Sequence, residues 1–174
     1  MVDLKAKIRN VQDFPKPGIG FKDITTLIKD GPAFQAAVQA MSQPFDPRAI
    51  DLIVGIESRG FIFGSALAYQ WGKGFVPVRK PGKLPAATLK ETYSLEYGSD
   101  AVEIHQDAIL PQQRVLIVDD LLATGGTVAA ACRLVERLQG QIIGISFLIE
   151  LTFLHGVDKL KPYPVHSVIK FDHE

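Results

Sequence analysis

The sequence predicts an α/β domain, a mostly parallel twisted sheet flanked by helices. Three observations carry that expectation. Runs such as Val115-Leu116-Ile117-Val118 are apolar at every position, the signature of strands buried on both faces of a parallel sheet. Two of these runs, ending at Ile56 and Val118, lead through a short turn directly into an apolar period of helical spacing. The length of 174 residues, 47% of them hydrophobic, suits one domain with a sizeable core and no linker, repeat or low-complexity tract.

Taken in order, Leu4, Ile8 and Val11 have the spacing of a short amphipathic helix. Phe14–Ile24 holds two prolines and two glycines and reads as a stiff loop without regular structure. Its Phe21 is either a core anchor or a ring that stacks on a planar ligand. Pro32 opens a helix through Phe34, Ala37, Val38 and Met41. Asp51–Ile56 is a buried strand, and Phe61, Phe63, Ala66, Leu67 and Tyr69 follow it with a helical period. Phe75–Val78 is a short strand running into Arg79, Lys80 and Lys83, with Lys90 a little later. Tyr93–Gly98 alternates as a strand, and Ala101–His105 pairs back as a hairpin. The strand Val115–Val118 ends at Asp119 and Asp120, followed by Ala123-Thr124-Gly125-Gly126-Thr127 and a helix over Val128–Leu138. Gln141–Leu148 is another strand with Leu151, Thr152 and Phe153 at its end, and His166–Phe171 is a final edge strand.

Bulk properties exclude several classes. The 19 basic and 19 acidic residues cancel, so no global field recruits nucleic acid or an anionic membrane. Cys132 is the only cysteine, which rules out an internal disulfide and suits a reducing compartment. No apolar run is long enough to span a bilayer, and the first ten residues lack the apolar core of a signal peptide, so the expected location is cytoplasmic. His105, His155, His166 and His173 have no metal-binding spacing, and no Lys follows the glycine pair as a Walker A motif requires.

The chemistry concentrates after the strand at 115–118. Gly125 and Gly126 let backbone N–H groups converge, and the following helix adds its positive end, making a nest for a phosphate. Thr124 and Thr127 add hydroxyls. Asp119 and Asp120 would repel that anion, so they fit another part of the ligand, the vicinal hydroxyls of a ribose or a Mg²⁺ carried with it. The second strand-turn-helix unit carries Glu57-Ser58-Arg59-Gly60, where Arg59 is a permanently charged fork for a second anion. Ser58 is not a hydrolase elbow, because Ile56 stands where Gly-x-Ser-x-Gly needs its first glycine.

Val115–Thr127 resembles the phosphoribosyl-pyrophosphate signature of the type I phosphoribosyltransferases, and the likeness extends over nearly the whole chain. Phe14–Ile24 is similar to the base-binding segment of those members that act on adenine. The resemblance implies their fold with a flexible hood loop, a base-binding hood segment at 1–30 and a mobile loop and hairpin at 79–104. It implies transfer of phosphoribose from 5-phosphoribosyl 1-pyrophosphate to adenine, giving AMP and pyrophosphate. Asp119, Asp120 and Ala123–Thr127 would take the ribose 5-phosphate. Glu57, Ser58, Arg59, Gly60, Arg79, Lys80 and Lys83 would take the pyrophosphate. Phe21 would stack on adenine with the backbone of Gly20 and Lys22 reading its edge, and Leu151 would line the same pocket. Gly20 and Lys22 stand where many members have a larger aliphatic residue and an arginine. Glu96 matches a loop carboxylate proposed to assist proton handling at the base. The resemblance further implies Mg²⁺ borne by the diphosphate and a homodimer. The competing readings are a transferase for another base and a nucleotide-sensing regulator without turnover.

Overall fold

The computed structural model describes residues 2–94 and 98–173. A 3-10 turn at Lys5–Lys7 leads into strand β1 (Arg9–Val11), which pairs antiparallel with β2 (Phe21–Asp23). Helices α1 (Thr25–Ile28) and α2 (Gly31–Ser42) follow, the latter capped by Asp30, whose side chain accepts from the Ala33 N–H at 3.1 Å. Then come β3 (Leu52–Ile56), α3 (Gly60–Trp71) and β4 (Gly74–Val78). The hairpin β5 (Thr88–Ser94) and β6 (Ser99–His105) precedes β7 (Arg114–Leu122), α4 (Gly126–Arg137), β8 (Gln141–Leu151) and β9 (Val165–Phe171).

Five strands form one parallel sheet in the order β4-β3-β7-β8-β9, with β9 at an edge. Alternation along the strands divides the core in two. Ile53, Leu116 and Val118 pack with Phe63 and Leu67 of α3 and Ala37 and Met41 of α2. Val54, Ile56, Val115 and Ile117 pack with Ala131, Leu134 and Val135 of α4 and with Val102 and Ile104 of the hairpin. The chain order therefore reverses between β3 and β7, whose following helices cover opposite faces. Open α/β sheets bind ligands at the carboxyl ends of strands at such a switch point. Among the described residues, no helix is long and apolar enough to cross a membrane.

Several boundaries differ from the sequence expectation: the strand expected at Tyr93–Gly98 is β5, Thr88–Ser94, with residues 95–97 outside the described ones, and β8 runs to Leu151 rather than Leu148. The amino-terminal helix is a single 3-10 turn followed by β1, because residues 9–11 find a ladder partner in β2. That pairing also gives the Pro/Gly-rich segment regular structure at its end. The strand expected to stop at Val118 continues to Leu122, since its other edge goes on pairing with β8 as far as Leu122↔Glu150. Lys90 lies within β5 rather than in a loop.

Asp23 fastens this amino-terminal ribbon. Its carboxylate accepts from the Thr25 N–H, the Thr25 hydroxyl and Arg9 Nε, each at 2.9 Å. The Thr25 N–H foremost, then Arg9 and the Thr25 hydroxyl, hold its pKa down to about 2. A depressed carboxylate stabilises the fold above the ordinary carboxylate range and loses that contribution as pH falls toward 2. Asp23→Asn should accordingly lower Tm by a few degrees at pH 7 and make no difference near pH 2, as thermal melts across that range will report.

Candidate active site

β7 runs past its last pairing with β3, Gly55↔Val118, so Asp119–Leu122 project beyond the neighbouring strand. The acidic pair thus sits on a strand rather than after it; Ser58 Oγ reaches both members, at 3.3 Å from Asp120 Oδ1, and Arg59 pairs with Asp120. Asp119 Oδ1 accepts from Ser58 Oγ at 2.6 Å and from the Asp120 N–H at 2.9 Å. Asp120 Oδ2 lies 2.7 Å from Arg59 Nη2. The contact is a charge pair only: no N–H is aligned on that buried oxygen. Both carboxylates are more than nine-tenths buried. Burial above all, and then the adjacent charge of Asp120, push the Asp119 carboxyl well above the ordinary range, against the opposing pull of Ser58.

Ser58 and Gly60 are shaped around Asp119. The Ser58 hydroxyl accepts from the Gly60 N–H at 2.8 Å while donating to the carboxylate. A Cβ at Gly60 would lie 2.4 Å from Asp119 Oδ1 and 2.9 Å from its Cα, so only glycine lets α3 begin this close to β7.

Ala123, Thr124, Gly125, Gly126 and Thr127 line a concavity of about 80 Å³ together with Asp119, Leu121, Leu122 and Val128. Gly125 has φ +78°, a left-handed conformation that glycine adopts without strain, and α4 starts at the next residue. The loop therefore delivers backbone N–H groups and the positive helix end to one small space beside a carboxylate.

On the other side of Arg59 lies an apolar concavity of about 370 Å³ lined by Val11, Phe14, Phe21, Asp23, Thr25 and Arg59. The Phe14 ring meets Phe21 edge-on at 5.0 Å, and the Arg59 guanidinium carbon stands 4.8 Å from the Phe21 centroid. Arg59 Nη1 donates to the Lys22 carbonyl at 3.0 Å. The Lys22 side chain is buried away from this space, with Nζ donating to Asn10 Oδ1 at 3.1 Å and 4.5 Å from the centre of the Phe171 ring. Neither Gly20 nor Leu151 lines the concavity; Leu151 ends β8 paired with Phe171.

The cationic loop after β4 is held by carboxylates. Arg79 donates to Glu57 through Nη2 at 3.0 Å and Nε at 3.3 Å, and the Lys80 N–H reaches Glu57 Oε2 at 2.8 Å. Lys80 Nζ pairs with Asp100 and donates to Tyr93 Oη at 3.1 Å. The Gly82 N–H donates to Glu103 Oε2 at 3.1 Å, and the Lys83 carbonyl accepts from Arg79 Nη1 at 3.1 Å. Arg79 foremost holds the Glu57 carboxyl below its ordinary value. Glu57, expected at the pyrophosphate, is thus turned onto the loop that carries the cations. Glu96 lies outside the described residues.

Nearly the whole chain is similar to known proteins. The phosphoribosyl transferase domain family matches residues 25–170. The adenine phosphoribosyltransferase of Desulfitobacterium hafniense is 59% identical over 170 residues, 98% of each chain. The crystal structure of adenine phosphoribosyltransferase from Thermoanaerobacter pseudethanolicus superposes with a TM-score of 0.94 at 56% identity, covering 97% of this chain and 98% of that one. The chain belongs to the adenine phosphoribosyltransferase family. The family's Saccharomyces cerevisiae enzyme, solved with D-2,5-dideoxy-2,5-imino-altritol 1,6-bisphosphate and adenine, has a TM-score of 0.90 at 45% identity, with 95% of this chain and 96% of that one covered.

Around the candidate site, three contributors escape sequence reasoning. Phe14 walls the apolar concavity; an aromatic residue amid prolines and glycines was its only signal. Asp100 neutralises Lys80 from 20 residues away. Gly156 backs the glycine loop from a segment that carries no motif.

Proposed function

We infer that the chain transfers the phosphoribosyl group of 5-phosphoribosyl 1-pyrophosphate to adenine, giving AMP and pyrophosphate. The observation that carries this reading is the glycine loop opening α4 beside Asp119 at the sheet's switch point, in a chain 59% identical to a named adenine phosphoribosyltransferase. The bond between ribose C1 and the diphosphate oxygen breaks, its electron pair leaving with the diphosphate, and a ring nitrogen of adenine bonds to C1 and gives up its proton.

The residues divide this work as follows. Backbone N–H groups of residues 123–127 anchor the 5-phosphate. Asp119 and Asp120 face the ribose as it gains positive charge. A carboxyl whose ionised form is disfavoured by burial is the group most helped by a nearby growing cation, so Asp119 is preorganised for the transition state. Arg79, Lys80 and Lys83 receive the departing diphosphate, with Glu57 holding Arg79 and the Lys80 backbone in place. Mg²⁺ would come as part of the diphosphate substrate and would supply positive charge against the growing charge of the leaving group, beside Arg79, Lys80 and Lys83. Phe21 and Phe14 supply the apolar wall for the purine.

The deciding experiment is pyrophosphate release from phosphoribosyl pyrophosphate and Mg²⁺ with a panel of bases. Turnover with adenine is expected; turnover only with hypoxanthine, orotate or uracil would remove the adenine assignment, and none at all would leave a sensor. Phe21→Ala should raise the KM for adenine about tenfold through lost stacking, with the donor's KM changed much less. A homodimer in the cytoplasm is the expected working form. Sedimentation across a range of concentrations tests the dimer.

A further inference from the structure

The glycine loop does not hold its own shape; it is gripped from behind. A Cβ on Gly156 would lie 2.1 Å from the Ala123 carbonyl oxygen and 3.0 Å from Gly125 N. Reciprocally, a Cβ on Gly125 would lie 2.4 Å from the Gly156 carbonyl oxygen. All these neighbours are backbone atoms, which cannot swing aside as the tip of a side chain can. The two glycines interlock main chain to main chain, and neither position admits a methyl group.

The gripping segment is itself fixed at both ends. It starts from Leu151 at the end of β8 and passes a 3-10 turn at Thr152–Leu154, whose first carbonyl accepts from the His155 N–H at 3.1 Å. His155 adopts φ +51°, the left-handed bend that sends Gly156 toward the loop. A second 3-10 turn at Gly156–Leu160 then buries Leu160 completely in the core beneath α4. None of residues 151–160 lines the loop concavity, so the segment can reach a ligand there only through the loop.

We propose that Gly156 is the positioning residue of the phosphate loop: it sets where the amides of Ala123–Gly126 stand, and so the affinity for the 5-phosphate. This rests on the reading of that loop as the 5-phosphate site. Convergent N–H donors bind an anion only when several are in register, and a displacement of about 1 Å near a reacting group costs on the order of a hundredfold. Relieving a 2.1 Å contact to the ordinary range beginning at 3.4 Å demands more than that displacement.

Gly156→Ala should raise the dissociation constant for ribose 5-phosphate and the KM for the phosphoribosyl donor at least tenfold. Inorganic pyrophosphate with Mg²⁺ should bind within twofold of the wild type, because the cations that receive it in this reading, Arg79, Lys80 and Lys83, lie on the loop after β4. His155→Gly, which removes a side chain from the same turn without creating the clash, should leave both affinities unchanged. Equal losses for ribose 5-phosphate and pyrophosphate, or none for either, would overturn the proposal. Should Gly156→Ala fail to fold, hydrogen exchange on the wild-type protein decides. Saturating ribose 5-phosphate should slow exchange in peptides covering 123–129 and also 154–160. Protection confined to 123–129 would remove the role of Gly156, whereas no protection at 123–129 would remove the phosphate reading of the loop.

Discussion

Asp119→Asn is expected to make the ligand-free protein more heat-stable at neutral pH and, in the same molecule, almost inactive. Both hydrogen bonds to Asp119 end on Oδ1, from Ser58 Oγ and from the Asp120 N–H. An asparagine carbonyl accepts both, so the local geometry survives the change. What disappears is a buried negative charge beside a second carboxylate. The folded-state pKa of Asp119 is raised, so the protein loses stability as pH climbs from the ordinary carboxylate range through that raised value. Asparagine never pays that electrostatic cost. The gain in Tm should therefore grow as pH climbs through the raised value and shrink toward zero near pH 4, where the wild-type carboxyl is protonated and carries no charge. Activity should fall by about a hundredfold or more, since the charge that answers the cationic ribose is gone. Differential scanning calorimetry and initial rates on one preparation test both halves. A lower Tm at neutral pH would mean that the carboxylate's charge stabilises the resting site, and near-normal turnover would remove Asp119 from the ribose. Strain of this kind, stored where chemistry needs it, is the usual exchange of stability for activity.

What the sequence made legible was local. Val115–Thr127 announces strand, acid, glycine turn and helix within a dozen residues, and each part reflects its neighbours' chemistry. The two-sided burial of the parallel strands is likewise written into unbroken apolar runs. The features that escaped depend on distant partners. How far β7 continues past Val118 depends on β8, whose pairing reaches Glu150. Three residues at 9–11 carry too short a pattern to distinguish helix from strand until β2 supplies a ladder. Glu57 belongs to the turn that reads as a pyrophosphate site, yet Arg79, 22 residues on, claims its carboxylate. Lys22 stands in the base segment, but Asn10 and Phe171 draw its ammonium elsewhere. Gly156 is the extreme case, because the only sign of its importance is a backbone contact across the site.

Arg59→Ala is expected to lose about a hundredfold in kcat/KM and to weaken AMP as much as it weakens pyrophosphate-bearing ligands. The sequence makes Arg59 a fork for the diphosphate, whereas the guanidinium stands between the acidic strand and the base segment. It lies 2.7 Å from Asp120 Oδ2, donates to the Lys22 carbonyl at 3.0 Å and covers the Phe21 ring at 4.8 Å. Removing it releases the Phe21 ring, the wall proposed for the purine, and leaves Asp120 without its countercharge. Asp120 is 4% exposed and Arg59 26%, so the stability cost sits below the fully buried limit, at about 2 kcal/mol. The double variant Arg59→Ala/Asp120→Asn should recover most of that stability, since the stranded charge is gone, but none of the activity. Calorimetric binding of AMP and of pyrophosphate with Mg²⁺ separates the two placements of this side chain. Matched losses mean that Arg59 works where it stands, joining ribose and base subsites. A loss confined to pyrophosphate means that the guanidinium leaves Asp120 and Phe21 for the diphosphate once substrate is bound, and the bridge described here is then only the resting arrangement.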